Sequence, residues 1–378
     1  MQRRTTKNKR AALPLIAGPI FGPIFGPIVG LMAGLVSATG VYAATVVYVS
    51  NADSQDISVL ELDRSQGMVK PVDTVSVGGT VMPLAVSADK RFLYAALRSQ
   101  PYRVTSFAIE APTGHLRKLG ESALADSMAN ISVDATNRWL FAASYGGNKI
   151  TVNSIDKTGV TGAVQQLLAT APNAHAIRAD VTGRFVLATS LGGDNLSVWR
   201  FDAETGRLTP NEPHLVTNAP KSGARHFVWD KSSRFVYLLN ELDASLYVFA
   251  WDSAKGSLRE LQRATTLPAG FAGKPWAADL HLTPDGRYLY ASERTSSTIS
   301  GFRVDGATGL LQALGQTPTE KTPRGFAIDS TGQFLISVGQ DSHSLSVHPI
   351  DGASGALGSP KRLPVGKNPN WVEIVDLP

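Results

Sequence analysis

The feature that most constrains this chain is a repeat. Six segments share a β-rich run, a polar turn, an anchor residue and then an apolar-aromatic run: "VSADKRFLYAALR", "VDATNRWLFAASY", "ADVTGRFVLATSL", "VWDKSSRFVYLLNE", "LTPDGRYLYASER" and "IDSTGQFLISVGQ". The anchors are Arg91, Arg138, Arg184, Arg234, Arg287 and Gln333, spaced by 47, 46, 50, 53 and 46 residues. A third run follows each, as in "LSVWRFD" (196–202) or "LYVFAWD" (246–252), and then a Gly-containing loop and a fourth, more polar run. The runs are rich in Val, Leu, Phe and Tyr and bounded by Asp, Gly and Thr, as strands require. Four strands every ~40–50 residues is the period of a β-propeller blade.

The ends supply a seventh blade. "ATVVYVSNADSQDISVLELD", from Ala44, has the later strands of a blade but no first strand, whereas the C-terminal "NWVEIVDLP" has only a first strand. Pairing the two closes the ring and removes exposed sheet edges. The expectation is an all-β chain: a seven-bladed β-propeller over 44–378, closed by its C-terminal strand.

Residues 1–43 read differently. A basic stretch with Arg3, Arg4, Lys7, Lys9 and Arg10 precedes an apolar run, Ala11–Leu35, and small residues close the segment at "SATGVYAA". Val41 and Ala43 fit a small-residue cleavage rule with Ala44 as the first mature residue. We expect an export signal, or an uncleaved anchor, and hence a periplasmic or secreted protein. A cytoplasmic location follows if the leader is not functional, and membrane contact comes only through an uncleaved leader. The leader also explains the basic pI of 9.3. Removing its five basic residues from the total of 36 leaves 31, against 31 acidic residues. Nucleic-acid binding by the body loses its electrostatic argument. The absence of cysteine excludes disulfides, thiolate metal sites and a cysteine nucleophile.

A repeat allows equivalent positions to be compared within one chain. A residue nine before the anchor and one seven after it should lie at the same end of a blade, near the axis. The minus-nine set is Met82, Ala129, His175, Arg225, Ala278 and Arg324, with Asn370 as the C-terminal counterpart. The plus-seven set is Asn51, Arg98, Tyr145, Leu191, Glu241, Arg294 and Gln340. These two rings break the apolar pattern of the strands around them. Converging guanidiniums can bind carboxylate or phosphate in bidentate geometry. Glu241 and His175 are the general-base candidates of the rings. An Arg can also stabilise the oxyanion that develops when an ester-like lactone is opened. Taken singly, a strand-end His or a blade-edge Arg is more often structural. Their coincidence in one ring is what points to a site. The anchor arginines, Asp89 and Asp285 recur in turns and read as scaffold. No His/Asp/Glu set has metal-site spacing, and no cofactor is expected.

The chain from about Ala44 onward resembles the bacterial seven-bladed-propeller 6-phosphogluconolactonases, a family that includes the fungal carboxymuconate-cyclising enzymes. The resemblance is carried by "PWAADLHLTPDGRYLYASERTSSTI", "QTPTEKTPRGFAID", "GQDSHSLSV", "GARHFVWD", "SADKRFLYAALRSQPYRV" and "NPNWV". It implies a catalytic set of His175 in "NAHAI", Arg225 in "GARHF", Glu241 in "LLNEL" and Arg294 in "SERTS". Arg98, Arg324, Gln340 and His343 are expected to bind substrate, and Trp276, Asp279 and His281 to support the site. The expected partner is a small anionic sugar lactone, the phosphorylated one of the family's name. An exported, non-catalytic propeller that binds an anionic glycan or a protein is the alternative. A metal-dependent sugar lactonase is a third reading.

Overall fold

The computed structural model describes residues 44–378, so the leader expected over 1–43 lies outside the described residues. Seven four-stranded antiparallel sheets follow one another around an axis. We number the blades in chain order. Blade 1 combines Ala44–Asn51, Asp56–Asp63 and Met68–Ser76 with the C-terminal strand Pro369–Leu377, which pairs with Ala44–Asn51. Blades 2 to 7 begin at Val81, Met128, Ala174, Ala224, Ala277 and Pro323. The repeat therefore translates directly into blades, and the ring closes as expected.

The first strand of each of these six blades is its innermost. In every blade the ladder between the innermost strand and its neighbour carries a register shift at one level. In blade 5, for example, Ala224 faces Asn240 and His226 faces Leu239, leaving Arg225 as an extra residue. In blade 7, Pro323 faces Gly339 and Gly325 faces Val338, leaving Arg324. The minus-nine positions are thus the sites of a ring of β-bulges. A bulge interrupts the alternation of a strand and re-aims its side chains, so two successive residues can serve one site. The amides freed by the bulge find side chains on the second strand: Ala176 N–H donates to Thr189 Oγ1 at 2.9 Å, and Asp279 N–H to Ser292 Oγ at 3.0 Å.

The anchor turns at the opposite end are scaffold. Asp134, Asp180, Asp230 and Asp329 each accept at least two turn amides, as Asp180 does from Arg184 and Phe185 at 3.0 Å each. Three anchor arginines reach the next blade. Arg138 donates to Ala203 O at 2.8 Å, Arg184 to Ser253 O at 2.6 Å and Arg234 to Gly306 O at 2.6 Å. The blades interlock a second way. The aromatic after an anchor lies against a glycine of the next blade's outer loop, as Trp139 does on Gly206 and Phe235 on Gly309. The same contact between Phe334 and Gly67 joins blade 7 to blade 1. Gly309 has φ +74°, and a Cβ there would fall 2.5 Å from two Phe235 ring carbons. Both the left-handed backbone and the close approach demand glycine. Gly309→Ala should therefore destabilise the propeller by about 1–3 kcal/mol, the usual cost of overpacking, read as a lower denaturation midpoint with an unchanged denaturant slope.

Candidate active site

The two rings meet at one mouth of the axis. Arg225 on the innermost strand of blade 5 and Glu241 just after its second strand lie side by side. Arg225 Nε is 2.7 Å from Glu241 Oε2. From blade 6, Arg294 Nη2 approaches the same oxygen at 2.9 Å. Arg225 is 1% exposed, Arg294 3%. Arg294 is further held by Trp276 O at 3.0 Å and Ala277 O at 3.2 Å, and its guanidinium lies 3.8 Å over the Trp276 ring. Trp276 is itself fixed, because its N–H donates to Glu293 at 2.6 Å, yet 43% of its surface stays exposed at the mouth. Glu241, Trp276, Lys274 and Thr295 line a cavity of about 200 Å³.

Positive charge dominates. Burial alone would raise the pKa of Glu241, but the charges of Arg225 and Arg294 and the Arg225 hydrogen bond outweigh it and keep it low. Arg294 is pulled down to about 9 by burial and then by Arg225. Arg324 is pushed down as well, by burial and by the charges of Arg225, Arg294 and Arg98. The guanidiniums of Arg225, Arg294 and Arg324 thus act on one carboxylate, a formal +2. The Arg324 side chain makes no hydrogen bond or ion pair to any described residue, an arrangement suited to an external anion. Arg98 is held by Ser127 Oγ at 2.8 Å and Met82 Sδ at 3.3 Å.

His175 is buried beside Tyr145, with ring centroids 6.0 Å apart. Burial and then Arg225 lower its pKa well below the usual range, so the ring is neutral. Its Nδ1 is buried without a partner. Gln340 and His343 sit apart on the blade 7 rim. Gln340 Nε2 donates to Asn368 Oδ1 at 2.7 Å, and Asn368 N–H donates to His343 Nδ1 at 3.2 Å. Their hydrogen bonds do not reach the Glu241 cluster.

The model of the seven-bladed β-propeller lactonases matches residues 41–374. The chain belongs to this family. The 6-phosphogluconolactonase of Pectobacterium carotovorum is 39% identical over 332 residues, covering 88% of this chain and 99% of that protein. That of Serratia proteamaculans is 38% identical over 330 residues, covering 87% and 98%. Among solved structures, the periplasmic gluconolactonase of Pseudomonas aeruginosa superposes with a TM-score of 0.83 at 28% identity, over 89% of this chain and all of that one. The chain is a lactonase, a carboxylic ester hydrolase, and the reading of a non-catalytic propeller is set aside.

The lactonase carries a second polar cluster that reading one position per blade misses. One residue deeper than the arginines, at minus eight, stand His226 and Asp279. His226 Nδ1 is 2.8 Å from Asp279 Oδ1, and His281 Nε2 is 3.2 Å from Asp279 Oδ2. These residues, with Asn130, Trp371 and Glu373, line an axial cavity of about 240 Å³. The signal was present in "GARHF" and "WAADLH", but an ideal strand alternates, and only the bulge turns both neighbours to use. Breaking the mouth cluster should be costly. Glu241→Gln leaves two buried guanidiniums short of their counter-charge and should destabilise the fold by about 3–5 kcal/mol. An anion such as phosphate should restore part of that loss in a thermal melt.

Proposed function

We propose that the lactonase opens a sugar lactone to its acid, with 6-phosphogluconolactone as the preferred substrate. The observation that carries this reading is Arg324. A lactone is neutral until it opens, so an unpaired guanidinium pushed by three others calls for an anionic group elsewhere on the substrate. A phosphate supplies it, with the exposed Lys274 ammonium at the rim as a second donor. Arg98 adds charge to the same region. The lactone ring lies against Trp276, whose apolar face and fixed position suit a sugar. Arg225 and Arg294 face the carbonyl and stabilise its oxyanion, and a base in the ring takes the proton of the attacking water. The names of the curated relatives favour the phosphorylated lactone.

The leader motif and the periplasmic gluconolactonase of Pseudomonas aeruginosa together support export. In that compartment an unphosphorylated aldonolactone becomes the available substrate, and the mouth accepts it with Arg324 and Lys274 unused. N-terminal sequencing of the protein from its host should begin at Ala44 if the leader is removed.

Purified protein should open both lactones faster than they hydrolyse spontaneously, equally with and without chelator. Arg324→Ala should raise KM for the phosphorylated lactone about tenfold, the worth of a charged hydrogen bond, with kcat within about threefold. The same change should leave the unphosphorylated lactone's KM almost unmoved. No acceleration of either lactone by the wild type contradicts the reading.

A further inference from the structure

Three buried polar atoms at the floor of the mouth have no partner: Arg225 Nη1, His175 Nδ1 and His226 Nε2. They come from adjacent blades 4 and 5, His175 and Arg225 at minus nine and His226 one residue deeper. Buried polar groups are nearly always satisfied, so such a cluster marks a place built for something that arrives. The three are not equivalent as bases. Arg225 is a donor only. His175 has no carboxylate behind it. Among the described residues, His226 alone of the three presents a free ring nitrogen with an acidic residue bound on the other side.

The tautomer of His226 follows from its neighbours. Burial would raise the pKa of Asp279, but the charge of His281 and the hydrogen bonds from both histidines outweigh it and leave it well below the usual range. An ionised carboxylate can only accept, so His226 Nδ1–H and His281 Nε2–H both donate to it. The Nε2 of His226 is then a lone pair. His226 is held neutral, its pKa pushed down to about 4 by burial and then by Arg225 and Arg324, while the Asp279 hydrogen bond and charge work in the opposite direction. His175 and Trp371 face the same ring, at centroid distances of 5.1 and 5.8 Å. The ring is also a wall of the 240 Å³ axial cavity, which begins one residue below the arginine level.

Glu241 is less suited to the task. Both of its arginines bind one oxygen at 2.7 and 2.9 Å, and their charge depresses its proton affinity.

We propose that His226, backed by Asp279, is the proton acceptor of lactone hydrolysis, and that Glu241 instead positions Arg225 and Arg294. The assignment rests on the lactonase reading above. A water drawn in beside the buried His226 Nε2 gives it a proton as its oxygen bonds to the lactone carbonyl carbon. The carbonyl oxygen becomes an oxyanion against the guanidiniums. The oxyanion reforms the carbonyl, the bond from carbon to ring oxygen breaks, and the imidazolium returns its proton to that departing oxygen as a hydroxyl. The new carboxyl group ionises into solvent. The carboxylate of Asp279 stays ionised throughout and stabilises the transient imidazolium, in the manner of a histidine–aspartate pair in acyl-transfer sites.

The test compares kcat, KM and the pH profile of wild type, His226→Asn and Asp279→Asn on 6-phosphogluconolactone and gluconolactone. His226→Asn should lower kcat by about 10²-fold or more, the usual worth of a general base, with KM within about threefold. Wild-type kcat should fall as pH drops through the His226 pKa near 4, because the protonated ring cannot accept. Asp279→Asn removes the group that raises that pKa, so it should lower kcat and shift the acid limb to lower pH. An active wild type with His226→Asn at wild-type kcat overturns the assignment and leaves the lactonase reading standing. A wild type inactive on both lactones overturns the lactonase reading and the assignment with it. Should His226→Asn fail to fold, Asp279→Asn decides: unchanged kcat and an unmoved acid limb overturn the proposal.

Discussion

One carboxylate oxygen holds the mouth of this propeller together. Glu241 Oε2 takes Arg225 at 2.7 Å and Arg294 at 2.9 Å, and neither guanidinium has much access to water. A buried cation without a counter-charge is severely unfavourable, so these two arginines can occupy the axis only because Glu241 does. The same contact joins blade 5 to blade 6 at the mouth of the proposed site. Stability and chemistry are coupled there. The cluster keeps a net positive charge, and in the proposed reading Arg324 takes the anionic group of the substrate.

The division between mouth and axis follows from the bulge ring. A regular strand would send neighbouring residues to opposite faces. The extra residue at minus nine puts Arg225 at the mouth and His226 against the axial cavity, one step apart. The charged guanidinium of Arg225 thereby stands one residue from the neutral imidazole of His226. The arginines also keep the imidazoles neutral, since their charge opposes protonation of both His175 and His226.

Much of this was legible in the chain itself. The spacing of Arg91 to Gln333 defines the blades, and the unpaired halves at Ala44 and Asn370 imply closure, because the pattern is strictly local and repeats. His175, Arg225, Glu241, Arg294 and Arg324 were visible as departures from that pattern. His226 was not, although it lies beside Arg225, because its significance depends on a register shift between strands that no residue type announces. Its partner Asp279 is 53 residues away on another blade. The contacts of Phe235 with Gly309 and of Trp139 with Gly206 were hidden for a similar reason. A loop glycine reads as a turn signal, and only three-dimensional proximity shows that it also makes room for a ring. Gln340 and His343 had the right ring or motif position, but Asn368 ties them to the rim.

The most direct test of the central claim is a crystal structure of the protein with bound 6-phosphogluconate, the hydrolysis product. The account predicts the product carboxylate between Arg225 and Arg294, within hydrogen-bond reach of His226 Nε2 directly or through one water, with the phosphate on Arg324. A product bound at the opposite end of the axis, or one oriented with its phosphate against His226, would contradict it.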